Sequence, residues 1–265
     1  SMGPSTYKVS LQDVFAANRK RLLSQLSAAG HDRGVVFLKG GTNPERFDTD
    51  FEPIFRQESY FFWLTGVKEP DCAVCIEVST GKTTLFIPFL DADYATIMGP
   101  IKTPEQWKHH YQVDEVFYLE DIEAKLVEKL LQEEKPKAPS PSGVVENGNG
   151  HCNGHSSSGT SKLYLMRGLN SDSGNVYEPP KMIMETANKT IEGKRDITVL
   201  FPILCECRVI KSDAELDLMR HATEITSFAH TYVMRNIKPG RKDPCICEYV
   251  MSFDLMVAAF LPIIC

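Results

Sequence analysis

The side chains best suited to chemistry in this sequence are its cysteines and histidines, and their spacing decides what they can do. Cys72 and Cys75 form a C-x-x-C. That spacing serves structural zinc when a second pair of ligands stands nearby, and redox work when the two thiols share a surface. Here the flanking residues alternate as in a strand, so the two thiols are expected on opposite faces of a sheet, as structural residues. Cys205 with Cys207 and Cys245 with Cys247 are C-x-C pairs. They could gather a soft metal such as zinc only if the two segments met in space, and ordinary thiols are expected. His109 and His110 lie between Lys108 and Tyr111 on a stretch that reads as a surface helix, while His151 and His155 lie in a Gly-, Ser- and Asn-rich stretch. Solvated side chains are expected at all four. No catalytic residue and no metal ligand is assigned from these groups.

Other chemistries lack their usual residues. The sequence has no G-x-S-x-G, H-E-x-x-H, G-x-x-x-x-G-K-[ST] or G-x-G-x-x-G, so serine-hydrolase, zincin, P-loop and Rossmann readings have no support. The formal net charge of −6 gives no electrostatic footprint for nucleic acid or an anionic membrane. Of 265 residues, 42% are hydrophobic and 24% charged, a globular composition with room for two units. The eight cysteines, several inside apolar runs, and the absence of an apolar leader pattern in the first residues lead us to expect a reducing, cytoplasmic setting. The apolar run Leu255 to Cys265 contains Pro262 and is much shorter than the roughly 20 residues a membrane helix needs.

The elements that must position any site follow from periodicity. Leu11 to Ala29 carries apolar residues at helical spacing and stops before Gly30, and Gly34 to Leu38 reads as a buried strand. Tyr60 to Leu64 reads as an aromatic strand. Ala73 to Val78 and Thr83 to Phe89 read as a hairpin turning through Ser79-Thr80-Gly81-Lys82. Asp91 is placed to cap a short helix and Pro104 to open another. Glu115 to Tyr118 is a strand, and Asp121 is placed to cap a helix running through Leu131. Residues 134–162 are rich in Pro, Ser, Gly and Asn, with almost no large apolar side chain to offset ordering entropy, and are expected to be a disordered insertion. The sheet resumes at Leu163 to Met166, and the unit boundary is expected near Arg195 to Val199. Ser212-Asp213-Ala214-Glu215 is a capping box opening a helix to about Asn236, ended by Pro239-Gly240. Its apolar face, with Leu216, Leu218, Met219 and Ile225, is expected to lack a partner.

Phe55-Arg56-Gln57-Glu58-Ser59-Tyr60-Phe61-Phe62-Trp63-Leu64-Thr65-Gly66 resembles the FRQ-[ED]-S-x-F-x-[WY]-L-[TS]-G signature of the N-terminal domain of prolidases and aminopeptidases P. Similar matches follow in order at Glu69-Pro70, Leu85-Phe86-Ile87-Pro88, Met98-Gly99, Leu169-Asn170-Ser171-Asp172-Ser173-Gly174 and Glu206-Cys207-Arg208-Val209-Ile210-Lys211. The resemblance covers about residues 8–240. It implies an α/β fold: a creatinase-like N-terminal domain, a mixed sheet flanked by helices, over 8–195. Over 196–240 it implies a linker and the first helix of an incomplete pita-bread domain, with 241–265 a divergent apolar tail.

In function, the resemblance implies the front part of a metallopeptidase that cleaves the imide bond of Xaa-Pro dipeptides with two Mn²⁺ ions held by Asp, His and Glu ligands. Those ligands lie beyond the matching region. The residues after Gly240 offer Asp243, Glu248 and Asp254 but no His, so this chain is expected to bind no metal and to be inactive by itself. The resemblance also implies a homodimer, or a dimer with a full-length subunit, in which the loop matching Tyr94 to Pro100 caps substrate in the partner through Ile97 and Met98. The family often has Trp where Ile97 stands, and Ile cannot stack on a proline ring as an indole can. Local packing is the alternative for this loop. Arg56, Gln57, Glu58, Ser59 and Gly66 are expected to be structural. The alternatives for the whole are a non-catalytic dimerisation or binding module and a different pita-bread chemistry, such as an Xaa-Pro aminopeptidase.

Overall fold

The computed structural model describes residues 12–43, 47–49, 53–135, 161–171 and 173–236. The insertion expected at 134–162 falls almost wholly outside them, as does the tail from 241. The elements in chain order are α1 (Gln12–Ala28), β1 (Gly34–Lys39), α2 (Ser59–Thr65), β2 (Ala73–Glu77), β3 (Thr83–Ile87), α3 (Tyr94–Met98) and α4 (Pro104–Tyr111). They continue with β4 (Glu115–Tyr118), a 3₁₀ turn at Leu119–Asp121, α5 (Ile122–Glu134), β5 (Lys162–Leu165), β6 (Gly168–Leu169) and β7 (Val176–Tyr177). The last are α6 (Lys181–Met184), α7 (Lys189–Glu192), β8 (Arg195–Asp196), α8 (Leu200–Val209) and α9 (Asp213–Asn236).

A six-stranded mixed sheet runs in the order β4-β3-β2-β1-β5-β8. The pairs β1–β2 and β2–β3 are antiparallel, and the other pairs are parallel. A short ladder of β6 and β7 stands apart. Period-2 alternation sorts the strand residues onto two faces. Val36, Leu38, Val74, Ile76, Leu85 and Tyr164 face one way, into a core with Leu22 and Leu26 of α1, Phe61 and Trp63 of α2, and Leu200 and Leu204 of α8. Val35, Phe37, Cys75, Phe86 and Leu163 face the other way, onto Ile122, Leu126 and Leu130 of α5, Ile183 of α6 and Ile191 of α7. With both faces covered, the central strands are apolar on both sides, which is why they read as continuous hydrophobic runs. Cys72 and Cys75 fall in opposite cores, as their spacing requires.

The segment Tyr60 to Leu64, expected as a strand, is helical instead. Phe61 to Thr65 are all buried, so no polar alternation exists to separate strand from helix, and the aromatic content favours the wrong choice. The ends decide the matter. Glu58 accepts the amides of Tyr60 and Phe61 at 3.1 and 2.7 Å, and Gly66 closes the helix in the left-handed region at φ 71°, its N–H on the Phe62 carbonyl. Asp91 does not cap α3: the N-cap position is Asp93, and the Asp91 carboxylate accepts that residue's amide at 3.0 Å. Asp121 lies in the 3₁₀ turn before α5 and makes no capping bond with its side chain. The capping box at α9 is present: Ser212 Oγ accepts the Glu215 amide at 3.3 Å, and Glu215 accepts the Ser212 amide at 2.7 Å. The face of α9 expected to lack a partner is covered in part, with Leu218 and Ile225 buried. At the start of that helix, Glu215 is held by Trp63 of α2.

One buried ion cluster ties α5 to the sheet. Lys129, 3% exposed, lies 2.7 Å from Glu77 and 3.0 Å from Glu115, and Lys82 lies 2.6 Å from the other oxygen of Glu115. Partial burial alone would raise the Glu115 carboxyl, but hydrogen bonds from Lys82 and Lys129 outweigh it and hold the pKa at about 2. Asp196 is held at about 2 in the same balance, its burial outweighed by Lys162 and Thr198.

A folded-state carboxylate pKa below its unfolded value stabilises above the unfolded pKa, so stability should decline as pH falls from about 4.5 towards about 2. Urea midpoints measured across that range should fall, and Glu115→Gln should flatten the decline. At Gly66, an added Cβ would stand 2.1 Å from Phe15 Cε2 in a backbone already at positive φ. Gly66→Ala should therefore cost about 2–5 kcal/mol, from left-handed strain plus overpacking, read as a lowered urea midpoint at unchanged m.

Candidate functional site

Gln57, Glu58 and Ser59 of the signature occupy the entry to α2, and each has a traceable task. Gln57 is buried. Its Oε1 accepts the amides of Gly41 at 2.7 Å and Glu58 at 2.9 Å, and its Nε2 donates to the Glu69 carbonyl at 2.9 Å, so it fixes three loops. Gly40 sits so close that a Cβ there would meet Gln57 Oε1 at 2.8 Å. Glu58 is the cap. Burial pushes its carboxyl up, opposed by the amides of Phe61 and Tyr60 and by the Arg208 guanidinium. Ser59 Oγ accepts from Arg208 Nη1 at 3.2 Å. Arg56 is exposed at the mouth of the loop.

Ser59 and Tyr60 open onto a cleft of about 580 Å³ whose other walls come from distant parts of the chain. The β6–β7 hairpin supplies Leu169, Asn170, Ser171 and Tyr177, and α8 supplies Phe201 and Cys205. Two motifs that the sequence shows only as separate stretches, at 55–66 and 169–174, thus meet around one space, closed by α8 residues that precede the third motif at 206–211. The Tyr60 ring is the hub. It meets Tyr177 edge-on at 6.4 Å and Phe201 at 5.9 Å, the Arg208 guanidinium lies over it at 4.4 Å, and its hydroxyl lies 3.3 Å from Cys205 Sγ. Burial, and then the bond to Cys205, push the Tyr60 phenol up to about 12. Tyr177 is pushed up as well, by burial and then by Glu58 and Tyr60.

The sequence marks Glu58 and Ser59 only as signature residues expected to be structural, and gives no sign that Tyr60, Tyr177, Cys205 and Arg208 gather beside them. Tyr60 and Cys205 are 145 residues apart, and no local pattern links them. The α3 stretch holds the backbone of Ile97 and Met98, whose side chains lie outside the described residues. His109 and His110 are exposed on α4, away from this cleft. Cys72 and Cys75 are free, buried thiols whose burial pushes their pKa well up. His151, His155, Cys245 and Cys247 lie outside the described residues. Among the described residues no group of three or more His, Cys, Asp or Glu side chains is arranged to hold a metal ion.

Residues 15–137 match the family described as "Aminopeptidase P, N-terminal domain". Among curated proteins the chain is similar to the Xaa-Pro dipeptidase of Homo sapiens, 36% identical over 244 residues, and to that of Rattus norvegicus, 38% identical over 245. These alignments cover 91% and 92% of this chain but 42% and 43% of those proteins, so it spans less than half the length of the relatives it matches. A probable Xaa-Pro aminopeptidase of Paracoccidioides lutzii is 28% identical over 207 residues, covering 78% of this chain and 33% of that protein. In fold it is similar to aminopeptidase P from E. coli in its low-pH form, with TM-score 0.66 and 18% identity over 94% of this chain and 50% of that one. Aminopeptidase PepP of Pseudomonas aeruginosa gives 0.65 and 18%, over 95% and 50%.

The phenols give a testable signature. Tyr60, Tyr111, Tyr164 and Tyr177 are all shifted upward, chiefly by burial. A spectrophotometric titration of the nine tyrosines should show a late-ionising class above pH 11, and Tyr60→Phe should remove one phenol from it. A raised phenol pKa is a contribution present below about pH 10 and lost as pH rises through about 12, so stability should fall over that window, less steeply in Tyr60→Phe.

Proposed function

We propose that the chain is the N-terminal portion of a manganese-dependent Xaa-Pro dipeptidase that hydrolyses the imide bond before proline, and that these 265 residues by themselves are inactive. The observation carrying this reading is the match to Xaa-Pro dipeptidases. It runs over nine-tenths of the chain at higher identity than the match to Xaa-Pro aminopeptidases. A prolyl imide has no N–H, so a peptidase for it must recognise the ring and the free termini instead. In the proposed parent, two Mn²⁺ ions would supply the chemistry by generating hydroxide at neutral pH. The described residues do not fit that pair of ions, because they bring no donor set together.

In this reading the first unit contributes architecture and contacts between subunits. The proposed partners are a second copy or a full-length subunit, with Ile97 and Met98 reaching towards the partner's substrate, and no nucleic acid or membrane. A cytoplasmic setting is supported by four free thiols, at Cys72, Cys75, Cys205 and Cys207. No helix of the described residues is long and apolar enough to cross a membrane. The second reading, an Xaa-Pro aminopeptidase, is favoured by the fungal relatives and differs in accepting longer peptides.

The test is proline release from Gly-Pro by the 265-residue chain and by a version carried through the full length of its relatives, each with Mn²⁺ and with EDTA. The expected result is no release by the shorter chain and Mn²⁺-dependent release by the longer. Turnover by the shorter chain would overturn its inactivity. Release only from longer Xaa-Pro peptides would replace the dipeptidase reading with the aminopeptidase one, and no release by either protein would leave a binding module.

A further inference from the structure

Glu215 is buried more deeply than its capping task requires. A Ser-x-x-Glu box needs only the reciprocal bonds between residues 212 and 215, which leave a carboxylate free to stand in water. Here Glu215 is 1% exposed, and its second oxygen is also engaged: Oε1 accepts Trp63 Nε1–H at 2.9 Å while Oε2 accepts the Ser212 amide at 2.7 Å. Arg21 Nη1 of α1 stands 3.9 Å from Oε2. The same guanidinium nitrogen donates to the carbonyls of Cys207 at 2.9 Å and Ile210 at 2.7 Å, and Lys211 Nζ donates to the Arg208 carbonyl. The end of α8 and the start of α9 are therefore gripped from outside, by α1 and α2. Burying a carboxylate is costly unless it is paired, and what such a pair supplies is a defined geometry more than net stability.

We infer that Glu215 is a positioning residue, and that Trp63, Glu215 and Arg21 form a joint that fixes the direction in which α9 leaves the first unit. Ser59 and Tyr60 hold α8 through Arg208 and Cys205, and one turn later Trp63 holds α9 through Glu215. The aromatic part of the signature is then a seat for the chain that follows it. The joint does not depend on peptidase activity; only its consequence, setting where a following catalytic unit stands, rests on that reading.

The test uses the 265-residue chain labelled with ¹⁵N-tryptophan, whose two indole N–H signals are assigned with Trp107→Phe. The expected result for Glu215→Ala is loss of the hydrogen-bonded Trp63 indole shift, at least tenfold faster exchange of that proton, and at least tenfold faster tryptic cleavage at Arg220. Protection of the sheet amides should be unchanged. Glu215→Gln keeps an acceptor for the indole and should restore most of the shift while still loosening α9, because the charge facing Arg21 is gone. An unchanged Trp63 signal and cleavage rate in Glu215→Ala would overturn the joint. So would an equal loss of protection throughout the sheet, which would make Glu215 an ordinary core residue. Should Glu215→Ala fail to fold, Glu215→Gln decides: wild-type cleavage at Arg220 overturns the proposal. None of these readouts is an activity, so failure of the dipeptidase reading leaves the joint standing, and the reverse holds too.

Discussion

A short helix buried over most of its length must have both of its ends satisfied by something other than water, and α2 imposes that demand on everything around it. At its start Glu58 takes two amides, with Gln57 holding the approach. At its end the carbonyls of Trp63 and Leu64 are met at 3.0 Å by Asn18 Nδ2 and Arg19 Nη1, which fixes the register of α1 against it. Arg19 also reaches the Gln112 carbonyl at 3.0 Å, bringing in the end of α4. Burial lowers the pKa of that guanidinium while Asp114 opposes the shift, so α1 carries a charge into the core only because each of its contacts is answered. Phe15 then closes on Gly66 where no side chain is tolerated, and edge-on against Phe62 at 5.5 Å.

The cleft is a by-product of the same arrangement. Once α2 is fixed under the sheet, its polar first turn emerges beside the β6–β7 hairpin and α8, and Tyr60 becomes the surface on which those two segments meet. Gly168 must be glycine for the hairpin to come this close, since a Cβ would lie 2.2 Å from Phe201. The aromatic contacts and the Arg208 cation over Tyr60 are therefore packing between segments as much as a lining for a ligand.

Much of the scaffold was legible in the sequence because its signals are local. The strand at Glu115 to Tyr118, the hairpin through Gly81 and the helix opened by Pro104 each follow from a few adjacent residues. The capping box at Ser212 was legible for the same reason, but the indole on the far side of Glu215 was not, because Trp63 is 152 residues away. The aromatic helix was misread since complete burial erases the polar–apolar period on which the distinction rests. The two-residue strands β6, β7 and β8 carry too few residues to show any period; they exist because neighbouring backbone offers them partners. At the cleft, the resemblance marked Glu58 and Ser59, but only the folded chain brings Tyr177, Cys205 and Arg208 to them.

The pairing of β1 with β5 has a consequence for how this protein can change. Gly34 lies against the backbone of Lys162, so closely that a Cβ would meet its carbonyl oxygen at 2.3 Å, and Glu133 accepts the Gly34 amide at 3.1 Å. Ser161 donates to the Leu130 carbonyl at 2.8 Å, and Lys194 stands 2.5 Å from Glu134. The end of α5 and the start of β5 are thus clasped together at the base of whatever chain connects them. Closing a connection over a fixed base costs only about 0.6 kcal/mol more for each doubling of its length. The chain between Lys135 and Ser161 is accordingly where sequence can be added or removed, or a foreign domain carried, with the sheet left in register.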